Sequence, residues 1–151
     1  MCGGPSCWEF AGTVLDLLAG ISRTNMPWPR LTWEQCLLGM DLPAHLLGFQ
    51  RTWSLLRGSV LWVLWLRRDA QVFQNATWPT PQLESSIWDA VLDLARMASD
   101  RSISLSRQQP QAGQKARLAL CRCWASTATL CSHQGDSIHW NYIRPVCGVF
   151  R

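Results

Sequence analysis

A chain of 151 residues with 48% hydrophobic content has the size of one domain and enough apolar mass for one modest core. Its longest apolar run, Ser59 to Leu66, is bounded by Arg57 and Arg67-Arg68 and spans less than half of the roughly 20 residues a bilayer crossing needs, so a transmembrane helix is excluded. The net charge of +4 is concentrated: between Arg96 and Arg122 six basic residues face Asp100 alone, which makes that stretch +5 and leaves −1 for the remainder.

In chain order, Trp8, Ala11, Val14, Leu15, Leu18 and Ile21 fall at helical spacing, which predicts an amphipathic helix from Cys7 to Ile21. Glu9 and Asp16 within it, and the lack of a basic leader, argue against an export signal. Pro27-Trp28-Pro29 must be extended, and Thr32 can cap a short helix from Trp33 to Leu38. Leu46 to Gln74 carries apolar residues in nearly every direction around its axis, the pattern of a central buried helix, with Gly58 marking either a kink or a close helix contact. After a turn at 75–81, Leu83, Ile87, Trp88, Val91, Leu92 and Ala95 predict a fourth helix ending near Ser99, antiparallel to the third.

Asp100 to Gly113 is rich in Ser, Arg and Gln and loses apolar periodicity after Leu105, so it reads as a flexible basic linker. Lys115 to Leu130 predicts a weak helix, and the alternation over Ser137 to Arg144 a short β element in the tail. The expected architecture is mainly α: a small helical bundle on an antiparallel hairpin, about 46–74 and 82–99. It divides into a Trp-rich module over 1–99, a linker over 100–113 and a weakly structured tail over 114–151.

Ten of the aromatic residues are Trp, against four Phe and one Tyr, and most of these rings are expected in the core. Seven Cys, an odd number without a secretory leader, read as reduced thiols of an intracellular protein. Cys121, Cys123, Cys131, His133, His139 and Cys147 have the donor types of a zinc site, but their one-residue gaps chelate poorly and no metal or cofactor is expected. Cys131 with His133 lacks the surroundings of an activated nucleophile. Asp89 and Asp93, at i and i+4 on a helix, are expected to be solvated carboxylates. Arg107, Lys115, Arg117 and Arg122 are the candidate contacts for RNA or DNA, through salt-sensitive phosphate pairing. Trp28, Trp33 and Trp78 near Arg30 could stack bases, although packing on the hairpin is the stronger expectation.

Leu31-Thr32-Trp33-Glu34, Leu37-Leu38-Gly39, Trp53-Ser54-Leu55-Leu56-Arg57-Gly58 and Leu61 to Asp69 ending in Val72-Phe73 together resemble the C-terminal region of non-LTR retrotransposon reverse transcriptases, the segment after the zinc-binding motif. In that family a tryptophan pair is followed by Glu-Arg-Asn and a Phe; Trp62 and Trp65 match the pair, Arg68 and Phe73 match the Arg and Phe, and Arg67 and Asp69 depart. Trp78, Ile87-Trp88-Asp89 and, more distantly, Ile138 to Tyr142 with Arg144-Pro145 are similar to the family's continuation. The family's Cys/His cluster would precede Met1, with Cys2 at most its last ligand, and the paired-aspartate motif of a polymerase is absent from these residues. The resemblance therefore implies a non-catalytic accessory module. A co-opted nucleic-acid binder using residues 96–122, or a helical protein-interaction module whose apolar faces need a partner chain, are the alternatives.

Overall fold

The computed structural model describes residues 4–19, 31–124, 130–134 and 137–144. Helix α1 (Gly4–Ala19) is followed by a single π turn (Glu34–Leu38), a 3₁₀ turn (Ala44–Phe49), α2 (Gln50–Gln74), α3 (Thr80–Gln108) and α4 (Pro110–Trp124). Strands β1 (Cys131–Gln134) and β2 (Ser137–Trp140) form an antiparallel pair in which Cys131 faces Trp140 and Gln134 faces Ser137. The chain is thus mainly α, a bundle built on the α2–α3 hairpin. Phe10, Val14 and Leu15 of α1, Trp53, Leu56 and Val60 of α2, and Leu83, Ile87 and Trp88 of α3 meet in its buried centre.

Local chemistry sets the corners. Thr32 and Gln35 form a reciprocal cap: the Gln35 N–H donates to Thr32 Oγ1 at 3.3 Å while the Thr32 N–H donates to Gln35 Oε1 at 2.8 Å, two otherwise orphaned donors satisfied together. The turn beyond it closes at Gly39, whose φ of 73° lies in the left-handed region. Arg57 of α2 covers that turn, its Nη2 donating to the Leu37 carbonyl at 3.0 Å. Helix α2 ends where Asn75 enters the left-handed region (φ 51°) and the Ala76 N–H returns to the Ala70 carbonyl at 3.1 Å. Pro79 then supplies the carbonyl that accepts from Gln82 and Leu83, and Pro81 occupies the first turn of α3, where a missing N–H costs nothing.

The segment read as a flexible linker is helical instead. Helix α3 runs through to Gln108, and Gln109 alone separates it from α4. Apolar periodicity fades after Leu105 because the packing face is made of serines. Ser99 and Ser102 are buried, and Ser106 lies against Gly113 of α4. The hydroxyls of Ser102 and Ser106 donate to their own helix at the Ser99 and Ser102 carbonyls (2.7 and 2.9 Å), so the seam asks nothing polar of α4. A hydropathy pattern does not register an interface of this kind.

The tail is likewise tied to the bundle rather than weakly structured over its described residues. Leu120, Leu130 and Cys131 belong to the same core. Beyond β2 the Asn141 carbonyl accepts the Trp88 indole N–H at 3.0 Å, and Arg144 Nη1 pairs with Glu84 Oε2 at 2.7 Å. The predicted strand is shorter than expected, ending at Trp140, and α4 begins ahead of Lys115. Nor is α2 buried all round: it starts at Gln50, after the 3₁₀ turn, and turns Leu55, Trp62 and Trp65 outward.

The close α3–α4 seam has a direct test. A Cβ at Gly113 would overlap the Ser106 backbone. Gly113→Ala is expected to cost about 1–3 kcal/mol through overpacking, lowering Tm by several degrees in thermal denaturation. An unchanged Tm would mean that the helices do not approach this closely.

Candidate functional site

Two surfaces have a chemistry that the core does not explain. The first is a groove of about 460 Å³ between the C-terminal half of α3, α4 and β2, lined among others by Asp100, Ile103, Arg107, Arg117, Ile138 and Trp140. It brings together Arg107 and Arg117, two of the four candidate phosphate contacts. Lys115 is exposed but does not line the groove, and the Arg122 side chain lies outside the described residues. Antiparallel packing of α3 and α4 explains the pairing, since it folds back a stretch whose charges are spread along the chain. Asp100 shares the groove, so its charge is mixed rather than uniformly basic.

The second surface is the outer side of α2. Trp62 and Trp65 stack on each other at 5.1 Å between ring centroids and 23° between planes, yet they remain 55% and 48% exposed. Stacking hides part of each ring and leaves the pair's outer face to solvent. Leu55 continues this face toward the start of the helix and Val72 toward its end. Gly58 lies between Leu55 and Trp62, exposed, with nothing within 4 Å of where a Cβ would sit. Among the described residues it therefore makes no close helix contact. Arg68 is exposed, and Phe73 is 80% exposed near the C-terminus of α2. Trp62, Trp65, Arg68 and Phe73 are thus all exposed on α2.

The other tryptophans divide. Trp53 and Trp88 are fully buried, while Trp8, Trp78 and Trp140 are partly buried against the core, Trp8 tilted onto Trp53 at 6.2 Å. Trp33 is exposed; Trp28 and Arg30 lie outside the described residues. Packing on the hairpin is therefore the state of Trp78, and the grouping that would stack bases is not brought together by any described contact.

The thiols are quiet. Cys7, Cys36, Cys121 and Cys131 form no disulfide. Burial pushes the Cys131 thiol up to about 11, with neighbouring Cys121 adding to the rise. Burial also raises Cys36, against the opposing pull of the Arg57 guanidinium. A buried thiol held protonated is a poor nucleophile and a poor metal ligand. Among the described residues no cluster of three Cys, His, Asp or Glu side chains could hold a metal ion; Cys147 and the Cys123 and His133 side chains lie outside them. Asp89 and Asp93 are exposed on α3. No helix among the described residues is long and apolar enough to cross a membrane.

Compared with family models, curated proteins and solved structures, the chain matches none.

Two measurements follow from these geometries. Because the folded Cys131 pKa is raised above its ordinary 9.0, the unfolded chain loses that proton first as pH rises; stability should hold below about pH 9 and fall as pH climbs toward 11. Chemical denaturation across that range measures the fall, and Cys131→Ala should flatten it. Two groove guanidiniums neutralise at most two phosphates, so log affinity for single-stranded RNA against log salt is expected to slope no more steeply than about −1.5. Fluorescence-anisotropy titration at several salt concentrations reads that slope, and a steeper one would add further basic residues to the interface.

Proposed function

We propose that this chain is a non-catalytic helical protein-interaction module whose docking surface is the outer face of α2. One observation carries the reading: the stacked Trp62–Trp65 pair is placed on a rigid helix yet left half exposed. Indole rings cover large apolar areas at little conformational cost, which is why tryptophan is enriched where proteins anchor one another. A contiguous apolar stripe of this kind is a surface waiting for a partner. The same pair is part of the resemblance to the non-LTR reverse transcriptase C-terminal region, which implies an accessory module without catalysis of its own.

The rival nucleic-acid reading draws on one observation, the convergence of Arg107 and Arg117 beside Trp140. Asp100 in the same groove weakens its attraction for phosphate.

Site-directed photo-crosslinking tests the docking face. With a photo-reactive amino acid in place of Leu55, illumination of cells producing the full chain is expected to give discrete covalent adducts. The same group in place of Lys115, which is exposed but outside the stripe, should give none. Adducts from position 115 but not from position 55 would overturn the assignment.

A further inference from the structure

The outer face of α2 has an order that a merely apolar patch lacks. Its residues Arg51, Leu55, Gly58, Trp62, Trp65 and Asp69 are spaced by 4, 3, 4, 3 and 4 positions, a coiled-coil seam whose spacing reads the same from either end. The chemistry is complementary about the same centre. Reversing the helix and laying it on itself sets Arg51 against Asp69, Leu55 against Trp65, and Gly58 against Trp62. In each pair the numbers sum alike, so one two-fold axis near position 60 satisfies all of them. A cation meets an anion, an aliphatic side chain meets an indole face, and the largest side chain meets the position with no side chain.

Each member is available for that contact. Arg51 and Gly58 are exposed, Asp69 is partly so, and Leu55, Trp62 and Trp65 are 36%, 55% and 48% exposed. Arg51 and Asp69 have no ion-pair partner among the described residues. They are about 27 Å apart along the helix and cannot reach each other within one chain. Gly58 is otherwise unexplained: a solvent-exposed mid-helix glycine costs roughly 1 kcal/mol relative to alanine, and nothing among the described residues occupies the space it leaves. An incoming indole gives that space a use.

From this juxtaposition we infer that the partner of the α2 face is a second copy of this chain, bound antiparallel through α2 in a two-fold symmetric dimer. The inference rests on the docking-face reading and specifies its occupant. An isologous interface requires a self-complementary surface, and a pattern that is palindromic in both spacing and chemistry meets that requirement directly. A heterologous partner would need apolar area but would have no use for the Arg51–Asp69 symmetry.

The test uses sedimentation equilibrium of the purified full chain and two charge reversals. The wild type is expected at twice the 17.1 kDa chain mass. Arg51→Glu and Asp69→Arg each place two like-charge pairs in the symmetric dimer, and each should weaken it roughly tenfold. An equimolar mixture of the two variants restores both opposite-charge pairs in the mixed dimer, so the Kd should return close to the wild-type value. Both substitutions are on the surface, and circular dichroism should show unchanged helix content. A monomeric wild type up to about 100 µM, reversals that leave Kd unchanged, or a mixture that fails to recover would each overturn the inference. If the chain is monomeric but a photo-reactive group in place of Leu55 gives adducts at some other mass, the docking face stands and the second copy falls. If it gives no adduct either, both fall.

Discussion

Two buried indole N–H groups organise the parts of this protein that lie outside its α-helices. Trp53 and Trp88 sit at the centre of the bundle, and each ring must find an acceptor for its nitrogen or lose about as much as a hydrogen bond contributes. Neither uses another α-helix. Trp53 Nε1 reaches the Gln35 carbonyl at 3.3 Å and Trp88 Nε1 the Asn141 carbonyl at 3.0 Å. One bond pins the capped turn before α2, and the other pins the chain after β2. Segments with little helical character of their own are thereby held against the bundle.

Around each anchor the attachment is reinforced by a cation. Arg57 lies one helical turn after Trp53 and holds the Leu37 carbonyl, while Gln50, three residues before Trp53, accepts the Leu42 N–H at 2.9 Å. On the other side Arg144 bridges Glu84 and Ser85 one turn before Trp88. In both cases a helix offers an indole and a polar group on adjacent turns, and an irregular segment supplies the oxygens or the guanidinium that complete the set. Among the described residues the arrangement leaves Trp62 and Trp65 on the other side of α2 exposed, which is why they invite a functional account.

The core and the outer face of α2 follow different rules for the same residue type. Trp53 and Trp88 are buried and hydrogen-bonded, as an interior indole must be; Trp62 and Trp65 stack with each other and stay wet. A stacked pair is rigid before any partner arrives, so little conformational freedom remains to be lost on association. The groove beside Trp140 is chemically more mixed, with Arg107 and Arg117 sharing it with Asp100.

Periodicity in the sequence was sufficient for what repeats every three or four residues with apolar side chains: the α2–α3 hairpin, the first helix and the buried face of α3 from Leu83 to Ala95 were legible because burial of those side chains dominates local preference. It was insufficient in three places. The helix through 100–108 packs on serines and a glycine, whose small size permits close backbone approach without raising hydropathy, so its interface looks like a linker. The attachment of the tail depends on partners such as Trp88–Asn141, 53 residues apart, which no local window contains. And an apolar pattern on every side of α2 cannot distinguish a helix enclosed on all sides from one enclosed on a single side. Sequence determines how much apolar surface a helix has; only the placement of the other helices decides which part of it is covered, because burial is a property of neighbours and not of the residue itself.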